Sequence, residues 1–145
     1  MPYNIVHIAS HGQFGSDPSQ TFVLAYDGQL TMDDLEADIK FGERRDKALE
    51  LLILSACETA SGDDRAALGL AGVALKSGAR SALATLWYIN DQASGELVVN
   101  FHRGVQSGKL SKAHALQEAQ RALAADPRYA HPAYWAPFLL IGNWL

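Results

Sequence analysis

The sequence predicts an α/β fold built on a mostly parallel sheet, and three observations carry that reading. Short apolar runs alternate with helical stretches along the chain. Two of the runs, residues 4–9 and 49–55, are each followed closely by a reactive side chain, His11 after the first and Cys57 after the second. The order strand, hairpin, strand, helix, strand, helix, helix, strand implies right-handed crossovers, which join parallel neighbours.

Residues 4–9 are the first strand. Gly12, Gly15 and Pro18 mark residues 10–20 as a loop. Residues 21–25 and 29–30 flank Tyr26-Asp27-Gly28. Asp-Gly between short apolar runs signals a hairpin, because both positions tolerate positive φ. Thr31 can cap a short helix over 32–37, and residues 41–47 read as a charged surface connection. Residues 49–55 are the second main strand, with an unbroken apolar centre from Leu51 to Leu54.

Residues 58–65 are polar and small. Residues 66–76 read as a helix that is apolar almost all round and therefore buried. Gly69 and Gly72 would let it approach the sheet closely, and Gly78 would end it. Residues 81–86 are the third strand. Ala93, Leu97, Val98, Phe101 and Val105 share one face of a helix that Asn90 or Asp91 can cap. Ser111 can cap a further helix with Ala113, Leu116, Ala119 and Leu123 inward, and Pro127 stops it. Residues 138–141 form the last strand. Only four main strands are visible, which is few for a sheet covered on both faces.

The chain has 145 residues, of which 48% are hydrophobic, enough for the core of one globular domain or a piece of one. One cysteine cannot form an internal disulfide, which fits a reducing compartment such as the cytoplasm. No secretory leader and no membrane-spanning apolar stretch are visible, so no membrane partner is expected. A net charge of −4 provides no basic surface for nucleic acid. Asp33-Asp34 and Asp63-Asp64 lack the spacing of a calcium loop, and Gly69-Leu70-Ala71-Gly72 lacks the lysine and glycine spacing of a phosphate loop. No cofactor or metal is expected.

If the strands ending near His11 and Cys57 are parallel neighbours, the two side chains meet at the carboxyl edge of one sheet, where open α/β folds place their ligands. That is the layout of a cysteine–histidine dyad: the imidazole takes the thiol proton and the thiolate attacks a carbonyl carbon. The bland alternative for Cys57 is a small buried residue at a strand end. His7, four residues before His11, reads as a packed strand-interior residue with a satisfied nitrogen. His102 and His114 fall on helices, where surface or capping roles are the default, and His131 lies in a loop before Pro132.

The motifs together resemble the CHAT domain, a caspase-like cysteine peptidase domain often found behind tetratricopeptide repeats. Residues 3–12, YNIVHIASHG, resemble its histidine motif, and residues 54–60, LSACETA, its cysteine motif. Leu86-Trp87 followed by Asn90-Asp91-Gln92-Ala93 resembles the next strand end and helix start. Ala115-Leu116, Ala119-Gln120, His131-Pro132, Trp135-Ala136-Pro137-Phe138 and Ile141-Gly142 resemble the closing segment.

The resemblance implies a caspase-like three-layer αβα fold over residues 1–145, as the catalytic, later portion of a domain whose first strands would precede Tyr3. It implies a cysteine endopeptidase with Cys57 as nucleophile and His11 as base, acting on a protein or peptide. The upstream half of the domain and a repeat region would be its other partners. Gly12 and the Cys57 backbone would stabilise the oxyanion, although turn geometry explains a glycine there equally well. Trp87, Tyr88 and Asp91 would line the pocket for the residue before the cut, or else cover the sheet end and cap a helix. Glu58 would accept from a basic substrate or from the protein itself, and His131 would be structural. A non-catalytic interaction module is the competing reading. An unrelated α/β hydrolase is disfavoured by the lack of a Gly-x-Ser-x-Gly elbow.

Overall fold

The computed structural model describes residues 4–13, 21–43, 48–55, 72, 74–75, 78–87 and 89–145, with the side chains of 41–43 excepted. A four-stranded sheet runs in the order β1 (Ile5–Ile8), β5 (Leu51–Leu54), β6 (Ser81–Thr85), β7 (Phe138–Gly142). β1, β5 and β6 are parallel and β7 is antiparallel to β6, so the sheet is mostly parallel as expected. A second, three-stranded antiparallel sheet contains β2 (Gly12–Gln13), β3 (Phe22–Leu24) and β4 (Gln29–Thr31).

Alternation along β5 explains the layers. Every residue of Leu51–Leu54 is buried, so both faces are covered. Leu51 and Ile53 face α2 (Asp91–Gln106) and α3 (Lys112–Ala125), joining Leu97, Phe101, Leu116 and Leu123. Leu52 and Leu54 face the other way, toward Met32, Leu35 and Ile39 of α1 (Met32–Glu43) and Val23 of the small sheet. Ala74 joins that second layer, and Gly72, Ala74 and Leu75 have helical backbone within the expected helix 66–76, whose other residues lie outside those described.

Three expectations change. Residues 10–20 are not loop throughout, because Gly12 and Gln13 pair with Val23 and Phe22 as β2. The helix after Thr31 does not stop at Ala37 but continues to Glu43. Its buried face, Met32, Leu35 and Ile39, repeats at helical spacing across the proposed end. Thr31 does cap it: its Oγ1 accepts the Asp34 N–H at 3.2 Å while Asp34 Oδ2 accepts the Thr31 N–H at 3.0 Å, a reciprocal box. Ala113, finally, is only half-buried, and Ala115 and Lys112 take the inward positions.

Two glycines are required by close approach. A Cβ on Gly104 would lie 2.8 Å from the Ala115 Cβ, so α2 and α3 cross at near backbone contact. Gly142 has φ +95°, and a Cβ there would meet the Arg80 carbonyl oxygen at 2.5 Å. That carbonyl instead accepts the Asn143 N–H at 2.8 Å, which fixes the end of β7 against the start of β6.

Candidate active site at the carboxyl edge of the sheet

The parallel register of β1 and β5 brings the two motif-bearing strand ends together. Ile8 is opposite Leu54, and the ladder continues one step further through the Ser55 N–H to the Ile8 carbonyl at 3.1 Å. The condition set by the sequence, parallel neighbouring strands ending side by side, is met. His11 is exposed just past β1. Its carbonyl accepts the Leu24 N–H at 2.8 Å, and the Ser10 hydroxyl donates to the Leu24 carbonyl at 2.6 Å. The small sheet thus pins the backbone that carries His11. Gly12 is buried at the start of β2. Cys57, Glu58 and Tyr88 lie outside the described residues.

Beside these strand ends lies a cavity of about 480 Å³. Its polar lining includes His7, His11, Ser55, Asp91, Ser94 and His102. Ile89, Val98 and Val99 supply apolar wall, and no lysine or arginine among the described residues lines it. Asn90 caps α2, accepting the N–H groups of Gln92 and Ala93 at 3.1 Å each, and leaves Asp91 on the cavity wall. Trp87 is not in this lining. Its indole N–H donates to the Ala133 carbonyl at 3.4 Å, so the ring covers the sheet end toward the closing segment.

His7 departs from its expected place. It is exposed to the cavity rather than packed in the core, although a nitrogen is satisfied as anticipated. Its Nε2 and the Ser55 Oγ share a hydrogen bond of 2.7 Å. The His102 ring stands 5.8 Å away, tilted by 45°. Loss of water around His7 holds its imidazole below the usual histidine range, and repulsion from a charged His102 adds to the effect. His102 is therefore a cavity residue and not a surface one. Its signal was in the sequence: Asp91, Gly95, Val98 and His102 recur at helical spacing. Ser94, three residues after Asp91 and four before Val98, shares that spacing, whereas Ser55 carries no comparable signal.

The remaining histidines keep supporting roles. His114 shares a hydrogen bond with Ser111 at 3.1 Å at the start of α3, and His131 Nδ1 accepts the Ala133 N–H at 3.2 Å, capping a short turn of helix at Pro132–Tyr134. Among the described residues no group of three or more His, Cys, Asp or Glu side chains is placed to hold a metal ion, and no helix is long and apolar enough to cross a membrane.

Comparison with known proteins gives two kinds of match. A family profile described as "CHAT domain" matches residues 1–143. Tetratricopeptide repeat protein 28 of Mus musculus is 31% identical over 98 residues, which is 66% of this chain and 4% of the mouse protein. Tetratricopeptide repeat protein 28 of Homo sapiens is 33% identical over 69 residues, 48% of this chain and 3% of the human protein. The chain thus spans only a few per cent of the length of these relatives.

Proposed function

The chain belongs to the CHAT domain family, which is caspase-like, and on that premise we propose that it is a cysteine endopeptidase with Cys57 as nucleophile and His11 as general base. The observation that carries this reading is the β1–β5 register. Cys57 follows Leu54, and His11 follows Ile8, by the same three residues, and Ile8 and Leu54 are partners.

The chemistry follows from the residue types. A thiol with an ordinary pKa of about 8.5 is mostly protonated at neutral pH, so a neighbouring imidazole is needed to take its proton. The thiolate attacks the peptide carbonyl carbon, and the carbonyl electron pair moves to oxygen. Backbone N–H groups at Gly12 and Cys57 stabilise that oxyanion. When the C–N bond breaks, the imidazolium returns its proton to the leaving amine, and water then releases the acyl group from sulfur. Asp91, on a cavity wall whose described residues include no lysine or arginine, suits a substrate with a basic side chain before the cut. Glu58 adds a second carboxylate in sequence beside the nucleophile. Trp87 bounds the same end of the sheet. A tetratricopeptide-repeat region as partner is supported by the names of the two relatives. A cytoplasmic setting is supported by the single, unpaired-in-sequence cysteine.

The test is cleavage of a diverse peptide library, read by mass spectrometry, with the wild-type chain and Cys57→Ala in parallel. Wild-type products that vanish in Cys57→Ala bear the proposal out. Equal product sets, or none from a folded wild type joined to its repeat region, sink it.

A further inference from the structure

The hydrogen bond between His7 and Ser55 ties together the two strands that carry the proposed dyad. His7 is on β1, four residues before His11, and Ser55 is the first residue past β5, two before Cys57. Two peptide units keep the Cys57 Cα within about 7 Å of the Ser55 Cα, whatever path the backbone takes. A restraint on Ser55 is therefore a restraint on where Cys57 starts from.

We propose that His7 is a positioning residue: through its bond to the Ser55 hydroxyl it fixes the exit of β5 and so the approach of Cys57 to its base. This rests on the cysteine-peptidase reading above.

Three observations support it. The Nε2–Oγ distance of 2.7 Å is that of a well-formed bond, and it joins residues 48 apart in sequence. Among the described residues, the last backbone bond between these strand ends is the Ser55 N–H to the Ile8 carbonyl, so the side-chain bond adds a second restraint on Ser55. The His102 ring of α2 stands 5.8 Å from the His7 ring, so the bonded imidazole also has a ring neighbour on α2. The titratable groups lining the cavity around His7 are His11 after β1 and Asp91 and His102 of α2. Among the described residues, Ser55 is the hydrogen-bond partner of the His7 ring. His7 is kept apart from His11 by role: it acts through Ser55 and transfers no proton to substrate.

The experiment uses the alkylation rate of Cys57 by iodoacetamide across pH 5–9, which needs no knowledge of the substrate, because Cys57 is the only thiol in the chain. The variants are His7→Ala, Ser55→Ala, the double variant, and His7→Gln, whose side-chain amide can still bond a hydroxyl. Thermal melts confirm folding, and Ser55→Ala breaks the same bond should His7→Ala not fold. An activated wild-type thiol is expected. Each alanine variant should slow alkylation at pH 6–7 about tenfold, with the double variant no slower than either single one. His7→Gln should stay within about threefold of wild type and keep its pH profile.

Additive single effects, or unchanged rates in both alanine variants beside a fast wild type, overturn the proposal and leave the dyad standing. A His7→Gln loss as deep as that of His7→Ala overturns it in favour of proton transfer by His7. An ordinary thiol profile in the wild type overturns the peptidase reading, and this proposal with it.

Discussion

Ile8 and Leu54 stand opposite each other in the β1–β5 ladder, the last register pair before the strands end. His11 and Cys57 follow these two partners by the same three residues in sequence. A register slip of one residue would turn each strand's buried set to the opposite face. Leu51 and Ile53 lie against α2 and α3, and Leu52 and Leu54 against α1, so both faces of β5 lock the register.

His11→Ala is expected to lower peptidase turnover by about 10²–10⁴-fold, as removal of a general base does. Its fold should survive, since the loop is pinned through the His11 carbonyl and the Ser10 hydroxyl rather than the imidazole. The measurement is turnover on a peptide from the library screen, beside a thermal melt. Turnover within tenfold of wild type would remove His11 from the role of base.

Gly95→Leu tests whether the cavity is the substrate cleft. A Cβ on Gly95 meets nothing within 4 Å, and Gly95 lines the cavity, so a leucine side chain has room to grow into it. Replacing a helix-interior glycine also improves helix propensity by about 0.5–1 kcal/mol. The expected outcome is a thermal midpoint equal to or above that of wild type, together with a KM for peptide raised at least tenfold. An unchanged KM would place substrate elsewhere.

The pH dependence of stability has a definite sign at His7. Its folded pKa is depressed below the ordinary histidine value, by desolvation first and by His102 second. The unfolded state therefore binds more protons between the two values, and stability rises with pH there. The contribution is fully present above about pH 6.5 and is lost as pH falls through and below that value. Midpoints measured from pH 8 to pH 5 should fall for wild type, and His7→Gln should flatten part of the fall. Parallel curves for the two proteins would contradict the assignment.

Much of this architecture was legible from pattern. Leu51–Leu54 announced a strand buried on both faces, and Ala93, Leu97, Val98 and Phe101 announced the inward side of α2. What failed was non-local. β2 has two residues and exists only because β3 pairs with it, so no periodicity could reveal it. The direction of β7, which a mostly parallel sheet leaves open, is antiparallel to β6, and apolar content does not encode it. A strand-interior position predicts a packed core ring for His7. It lies instead on β1, facing α2 where that helix presents Gly95, Val99 and His102 to a cavity.

Lys112 shows the same limit for stability, since a lysine at a helix start reads as surface. Here it is 6% exposed, and its ammonium lies 2.9 Å from Glu50 Oε1 while donating to the carbonyls of Asn143 at 3.1 Å and Leu145 at 2.8 Å. Three donors thus meet three acceptors, and the start of α3 is tied to β5 and to the segment after β7. Lys112→Met keeps the stem and removes the charge. Glu50 is about one-third exposed and retains Arg80 at 3.3 Å, so solvent and that guanidinium soften its loss. The two carbonyls lose a buried donor each. A cost of about 1–3 kcal/mol is expected, which for a domain of this size lowers the thermal midpoint by roughly 3–10 °C. Alkylation of Cys57 should be unaffected, because Lys112 does not line the cavity. An unchanged midpoint would mean that desolvation of the ammonium already cancels its three contacts, the balance that buried ion pairs often reach.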